Sequence, residues 1–491
     1  MHSWKKLAII QLNSKESLVC NPYYGTADII NNSLAAKLLK AGEIAQDIDK
    51  DQALRKLTDR GHISEVTEEE MLFQMQKEFE KVREEFSHIG FHVIIPTYEC
   101  ELRCIYCYEK YLSKKGPEWV NRTLTKNGVN KLFTAIEELR ERFDHKTEAV
   151  CLFGGEPLLL KNKEIIEYTM RKAEEMGAEI SITTNALRLK EYLPLIEKYS
   201  VKTLNTTLDG PRAVHDKRRF KADGTGTFDE VVNSIEAARD LQINTTIKTN
   251  LDLGNIDSLP DLADYAISRG WHKDKNLRFI FSKVYEHEYA RYSHAFSLCE
   301  MTQLAMPLFL KNKSMRIFLD TFRKRSPLES LFFEGERFRP AFWWCIANYM
   351  CFVFDPQGDI YACHFATGDR KHAIGRYTPH LKLDQKNFGL WRNRSAFTIP
   401  ECRKCRLALF CGGGCAYQAY LKTGSIMKPE CDLIKGIVKH VVPTLYKIAK
   451  ESGSNRLGNY KQDLEQKNAA FDVCTLDKKL QARKGVLPSC S

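Results

Sequence analysis

No apolar run in this chain approaches the roughly 20 residues that a helix needs to span a bilayer, so no membrane segment is predicted. The opening stretch, MHSWKKLAIIQLNSKES, has a short apolar patch but neither an adequate h-region nor a small-residue cleavage site, and we read no signal peptide there. A long internal repeat, a coiled-coil stretch and a low-complexity segment are also missing, which argues against solenoid, fibrous and disordered classes. Acidic residues are the minority charge: 63 Asp and Glu against 74 Lys and Arg leave a formal net charge of +11. That balance fits an anionic partner such as nucleic acid or an acidic peptide, and equally a role in solubility alone.

What is present points to a large globular chain. Its 491 residues, at about 150 per domain, suggest roughly three domains, and 43% hydrophobic with 28% charged residues is a globular composition. With no export signal we expect a cytoplasmic protein. Its sixteen cysteines then sit in a reducing compartment, where metal or redox use explains them better than disulfides.

Residues 5–64 read as a small separate unit. KKLAIIQLN and SLVCNPYYGTADIIN have strand character, while NSLAAKLLKAG and DQALRKLTDRG have helical spacing. The charge-rich helix EEEMLFQMQKEFEKVREEF follows, so residues 1–88 are predicted to be a winged-helix-like unit with a linker helix. From 90 to about 285, β-rich stretches alternate with helical ones, beginning with FHVIIP and NKLFTAIEELRERF and ending with LRFIFSKVY. About six parallel strands with crossover helices give an α/β class: a partial (β/α)6 barrel over 89–310, with active loops at the C-terminal strand ends. Residues 311–450 are predicted to hold a bridging region and a second cysteine field closed by a helix, and 451–491 a polar tail.

The stretch PTYECELRCIYCYE places Cys100, Cys104 and Cys107 in C-x3-C-x2-C spacing directly after FHVIIP. Three thiolates on one loop can hold three irons of a [4Fe-4S] cluster and leave the fourth open to a non-protein ligand. A structural zinc site needs a fourth Cys or His, and His92, on the preceding strand, has no spacing that recommends it. Isolated buried cysteines are the other alternative.

With Tyr106 before Cys107, the arrangement resembles the radical S-adenosylmethionine enzymes. The resemblance implies that the open iron binds the amine and carboxylate of S-adenosylmethionine, and that one electron cleaves this cofactor to a 5'-deoxyadenosyl radical. It implies Tyr106 near the adenine, with an apolar wedge beside the cluster as the plainer role. Gly154-Gly155-Glu156-Pro157 looks like the family's cofactor-binding turn, its glycines permitting close backbone approach and Glu156 accepting from the cofactor ammonium. Thr184 and Asn185, in ITTNA, would meet the cofactor ribose or carboxylate, or else cap a local turn. LDGPRAVHDKRR is similar to a family segment ending in HD-x-x-R, which maps onto His215, Asp216 and Arg219. Arg219 then pairs with the methionine carboxylate, although Arg218 is adjacent and a surface salt bridge is the alternative. Asp209 reads as a turn cap and His215 as a hydrogen-bonded histidine; no catalytic base is assigned.

Farther on, Cys345, Cys351 and Cys363 are followed by Cys402, Cys405, Cys411, Cys415 and Cys431. Eight thiolates suffice for two fully coordinated cubanes, and full coordination suits electron transfer or structure better than cofactor cleavage. Two zinc sites are the metal alternative. The pattern, with Gly358 before Cys363, resembles the SPASM extension of radical S-adenosylmethionine enzymes. By that resemblance Cys345, Cys351, Cys363 and Cys415 hold one cluster and Cys402, Cys405, Cys411 and Cys431 the other, for three [4Fe-4S] clusters in all. Cys20 and Cys151 read as core residues, Cys299 is unassigned, and Cys474 and Cys490 read as exposed thiols of the tail.

The first unit resembles the recognition element of enzymes that modify ribosomally made peptides, which would hold a leader segment by strand addition to a sheet edge. We therefore expect a peptide maturase that abstracts a hydrogen atom and forms a crosslink, preferably a Cys-derived thioether, since a spare electron must leave when C–H and S–H become C–S. Carbon–carbon crosslinking, sulfatase-maturase-type oxidation of Cys or Ser, and an iron–sulfur redox sensor binding nucleic acid are the alternatives. The expected partners are a precursor peptide with a leader and a low-potential electron donor such as flavodoxin or ferredoxin. No membrane partner is expected, nucleic acid is disfavoured, and the oligomeric state is left open.

Overall fold

The computed structural model describes residues 2–3, 7–40, 51–323, 330–335 and 337–453. Cys474, Cys490 and the rest of the expected tail from 454 onward lie outside the described residues. Strands β1 (Ala8–Gln11), β2 (Glu16–Asn21) and β3 (Thr26–Asn31) form an antiparallel sheet in sequence order. The stretch expected as one strand is thus a hairpin, turned at NPYYG where Gly25 has a φ of 66°. Helices α1 (Asn32–Lys40), α2 (Gln52–Asp59) and α3 (Glu68–Ser87) follow. Buried Asp28 on β3 accepts from the Arg60 guanidinium and lies 2.8 Å from His62 Nε2, tying the sheet to the segment after α2.

Helix α3 starts at a capping box between Thr67 and Glu70. Its buried stripe of Met71, Met75, Phe79 and Val82 packs with Phe342, Ile399, Ala408 and Leu409 of the cysteine-rich region. The helical period of the sequence therefore becomes the seam between the first unit and the last.

The barrel strands are β4 (Ile89–Ile94), β5 (Lys146–Leu152), β6 (Glu179–Thr183), β7 (Thr203–Thr207), β8 (Asn244–Leu251) and β9 (Leu277–Lys283), each parallel to the next. Crossover helices include α4 (Lys126–Phe143), α5 (Lys163–Glu175), α6 (Leu189–Lys198), α7 (Arg212–Arg218), α8 (Phe228–Asp240) and α9 (Leu259–Ser268). Period two sorts the strand residues: Ile94, Val150, Leu152 and Ile182 share a core with Val129, Leu132 and Ile136 of α4, whereas Val93, Ile95 and Phe153 belong to a different cluster. Each fully buried aliphatic contributes about 1.5–3 kcal/mol. This is the partial α/β barrel expected.

The sheet does not stop at the barrel. Strand β10 (Cys351–Phe354) pairs in parallel with β4, Cys351 opposite Phe91, and β11 (Asp359–Tyr361), β12 (Ala373–Arg376) and β13 (Lys382–Leu383) continue it antiparallel to ten strands. The cysteine-rich region is thus joined edge-on to the first barrel strand, a pairing that short strands spread over a turn-rich stretch do not announce. The expected closing helix runs as Asp432–Gly436, a π turn at Ile437–Val441, and Val442–Glu451. Among the described residues no helix is long and apolar enough to cross a membrane.

Candidate active site

The C-terminal ends of the barrel strands hold the first cysteine array. The loop after β4 is pinned by the chain that leaves α7: Arg103 N donates to Phe220 O at 2.7 Å and Ile105 N to Arg218 O at 3.1 Å. Within it Leu102 N donates to Cys100 Sγ at 3.4 Å. Burial raises the Cys100 and Cys104 thiols and pushes Cys107 up to about 12, while the charge of Arg219 pulls Cys104 back down. Each thiol also raises or is raised by another of the three, as close neighbours do. Thiols held protonated by burial must lose protons to bind a metal, so loading this site releases acid.

The Gly-Gly-Glu turn after β5 explains its own glycines. A Cβ on Gly154 would lie 2.7 Å from Thr97 O, and one on Gly155 2.3 Å from Tyr98 O and 2.4 Å from Glu99 O. Only a bare backbone lets the start of the cysteine loop lie on this turn, and Glu156 N donates to Glu99 O at 2.8 Å. The Glu156 carboxylate is 1% exposed. Its Oε1 accepts from Thr184 Oγ1 (2.7 Å) and Leu158 N (2.9 Å), its Oε2 from Asn185 N (2.6 Å), and burial pushes the group up to about 7. Three residues foreseen separately are therefore one unit, with Asn185 Nδ2 4.0 Å from Cys100 Sγ. The next residue, Ala186, takes a φ of 68°, strained for a side chain with a Cβ.

The hydroxyl of Tyr106 belongs to a polar network that the sequence did not foreshadow. It donates to Asp209 Oδ2 and accepts from Arg219 Nη1 at 3.0 Å and Asn250 Nδ2 at 3.2 Å, with the Arg218 guanidinium 4.9 Å over the Tyr106 ring. Asp209, which also takes Asn250 N at 2.9 Å, is the hub of a buried network rather than a turn cap. Arg218 is not at the surface: it pairs with Asp252 at 2.6 Å, and both are buried. Burial pulls the Arg219 guanidinium down, but Cys104, Tyr106 and Asp209 outweigh it and hold it charged. Arg219 Nε is buried with no partner among the described residues. An orphaned cationic donor next to the cysteine loop fits a carboxylate ligand at this place.

His215 is fully buried, accepts from Asp209 N at 3.2 Å and lies 3.1 Å from Thr227 Oγ1; burial pushes it down to about 3, so it is a neutral strut. Asp216 accepts from Thr227 N and Phe228 N, capping α8. His92 stacks on His145 and Phe352 in the core, away from any ligand role. Cys20 is buried on β2, Cys151 half-buried on β5 and Cys299 half-buried in the helix Leu298–Lys311.

In the second array the thiols of Cys402, Cys405, Cys411 and Cys431 act on one another electrostatically. Burial, reinforced by these neighbours, pushes Cys402 and Cys411 up to about 12. Cys345 and Cys415 both act on Arg394, while Cys363 and Cys107 both act on Tyr108, which brings the extension to the barrel mouth. Gly358 has a φ of 89°, and its Cβ would lie 1.9 Å from Thr378 Oγ1. A separate group, Glu288, Asp369 and His372, brings ligand-type atoms within 4.8 Å of one another. There the Lys371 ammonium already bonds Glu288 and lies 3.2 Å from Asp369, so the chain itself offsets one of the two carboxylate charges. Sequence patterns gave no sign of this group, of the Asp209–Asn250 hub, or of Arg394.

Residues 94–266 match the Radical SAM superfamily. The barrel of this chain is a radical S-adenosylmethionine core. To it the chain adds a cysteine-bearing C-terminal auxiliary region. The cysteine-type anaerobic sulfatase-maturating enzyme of Clostridium perfringens (strain 13 / Type A) is 23% identical over 372 residues, 71% of this chain and 95% of that protein. The solved structure of native anSMEcpe with bound AdoMet covers 74% of this chain and all of that one, at a TM-score of 0.57 and 17% identity. Streptococcus suis SuiB bound to precursor peptide SuiA covers 88% of this chain and 100% of that one, at a TM-score of 0.51 and 16% identity. At these identities what the structures share is the fold.

Proposed function

We propose that this radical S-adenosylmethionine enzyme matures a ribosomally made precursor peptide, closing an intramolecular crosslink whose preferred form is a Cys-derived thioether. The observation that carries this reading is the three-stranded sheet at the front of the chain. The match of the chain to peptide-bound SuiB covers 88% of it, more than everything after residue 88 amounts to. The sheet is seated firmly: Phe338 N donates to Gly25 O at 2.9 Å, Tyr446 OH to Glu16 Oε2 at 3.1 Å, and Ala8, Ile10 and Leu18 share a core with Phe410 and Leu445. A winged-helix-like unit over 1–88 would there present an edge strand to a leader segment. Sulfatase-maturase-type oxidation is the second reading, supported by the relative from Clostridium perfringens.

We assign Cys100, Cys104 and Cys107 to a [4Fe-4S] cluster, and Cys345, Cys351, Cys363 and Cys415 with Cys402, Cys405, Cys411 and Cys431 to two auxiliary clusters. When bound, the first cluster and S-adenosylmethionine supply the radical that takes a hydrogen atom from the peptide. The chain's own residues set the stage for it. Arg219 offers its unpartnered Nε to the cofactor carboxylate, Gly154 and Gly155 let the cysteine loop close down, and Glu156 fixes Thr184 and Asn185 beside Cys100. Tyr106 holds Arg219 in place through its hydroxyl. Converting C–H and S–H into C–S releases one hydrogen atom, one proton and one electron, and the two auxiliary clusters that the eight thiolates would hold are suited to accepting that electron. Binding of full-length precursor and of leaderless core peptide to the intact enzyme, read by fluorescence anisotropy, tests the leader role: leaderless peptide should bind at least about ten-fold more weakly, about 1.4 kcal/mol. Equal affinities would remove that role.

A further inference from the structure

Arg394 is 1% exposed, among the largest fully buried side chains, and it is charged. Following the helix Gln385–Arg392, it reaches into the auxiliary array and donates to four backbone carbonyls at 2.5–3.0 Å: Nε to Ile426, Nη1 to Gly414, and Nη2 to Gly413 and Lys428. These bonds satisfy four of its five N–H donors and leave its charge uncompensated. Among the described residues no carboxylate pairs with it, and an unpaired buried cation is strongly unfavourable. The groups near enough to act on it electrostatically are thiols, Cys415 and Cys345 from one set and Cys402 and Cys411 from the other, which become negative only when a metal takes their protons.

The packing agrees. A Cβ placed on Gly413 would lie 3.5 Å from Arg394 Nη1 and 3.7 Å from Cys402 Sγ, so guanidinium and thiol border the same small gap. Gly414, whose carbonyl Nη1 holds, directly precedes Cys415. The run Gly412-Gly413-Gly414 has φ values of 57°, 85° and 72°, a left-handed stretch that lets two successive carbonyls turn to one cation.

We propose that Arg394 is a positioning residue, a counter-cation shared by the two auxiliary clusters, whose charge supports their assembly and raises the reduction potential of both. This rests on the reading that the eight cysteines of the extension ligate two [4Fe-4S] clusters. Four thiolates on an oxidised cubane leave a net charge of about −2, and reduction by one electron makes it about −3. A buried cation between two such groups favours the reduced form of each more than the oxidised form. The barrel array has its own cation, Arg219, and stands outside this effect.

Full-length Arg394→Gln and Arg394→Lys proteins, reconstituted anaerobically, are compared with wild type by iron and sulfide analysis and potentiometric EPR titration. Wild type should carry about twelve iron atoms per chain. In Arg394→Gln both auxiliary signals should shift together to lower potential, or both clusters should be lost to leave about four irons, with the barrel signal unmoved. Arg394→Lys keeps the charge without the four-carbonyl geometry, and should return iron content and potentials towards wild type. About four irons in wild type would defeat the two-cluster reading, and the proposal with it. A full iron complement in wild type together with unshifted potentials in Arg394→Gln would overturn the proposal alone. So would equal failure of the Lys and Gln proteins, the mark of a carbonyl clamp whose charge is irrelevant.

Discussion

Replacing Gly155 by Ala tests whether the cysteine loop is truly moulded on the Gly-Gly-Glu turn. The added methyl would stand 2.3 Å from Tyr98 O and 2.4 Å from Glu99 O, backbone atoms that have no rotamer into which to retreat. Relief requires the loop to lift by roughly 1 Å, since packed interiors give way only by moving whole segments. That movement strains two hydrogen bonds, Gly155 N to Thr97 O at 3.2 Å and Glu156 N to Glu99 O at 2.8 Å. At about 1 kcal/mol each, with about 1–3 kcal/mol for overpacking, the substitution should cost about 3–5 kcal/mol locally. A displacement of about 1 Å at reacting groups lowers rates by about 10²-fold. Production of 5'-deoxyadenosine should therefore fall by about that factor, while iron bound by the extension stays. Gly128→Ala is the control: it sits near the start of α4, its Cβ would meet only ordinary contacts of 3.4 and 3.5 Å, and a helix gains about 0.5–1 kcal/mol from the change. Wild-type cofactor cleavage and iron content in Gly155→Ala would refute the reasoning.

Joint replacement of Cys100, Cys104 and Cys107 by Ala should abolish cofactor cleavage while about eight of about twelve irons remain; cleavage at the normal rate would sink the site assignment. Replacing Cys402 and Cys405 should instead damage product formation or folding and spare the barrel cluster, which unchanged iron content and turnover would contradict. Burial holds His215 neutral in the fold, down at about 3, against about 6.5 in an unfolded chain. As pH falls below about 6.5 the unfolded chain takes up a proton that the folded one refuses, so stability should drop, on the order of 2 kcal/mol between pH 6.5 and 5. Urea midpoints should fall less steeply with pH in His215→Gln than in wild type, and parallel slopes would show that the histidine is not the cause.

The order of strands and helices in the barrel was legible because both periods are regular there, and the cysteine arrays stood out because their spacings are short. The Gly154–Glu156 turn was legible as a motif, but not the reason for its glycines, which is a contact with Thr97, Tyr98 and Glu99, more than fifty residues away in sequence. Tyr106 was read as packing near the cofactor adenine, with an apolar wedge as the plainer role, and neither reading foresaw that its hydroxyl bonds Asp209, Arg219 and Asn250. Such polar networks arise from tertiary proximity, which neither period nor spacing records. The same holds for β10, whose four residues announce nothing until they pair with β4. Arg394 is the extreme case: a lone arginine beside Asn393 and Ser395 reads as surface, and only the fold shows it sealed among the cysteines.

The most direct test of the proposed maturase is anaerobic incubation of the reconstituted enzyme with S-adenosylmethionine, a low-potential reductant and any small cysteine-containing peptide found encoded beside this chain, followed by high-resolution mass spectrometry. A loss of about two mass units, with fragmentation suppressed across a closed ring, is the result predicted for a thioether formed by removal of two hydrogens. Cleavage of the cofactor with every peptide unchanged would contradict the maturase reading and send the search to another substrate.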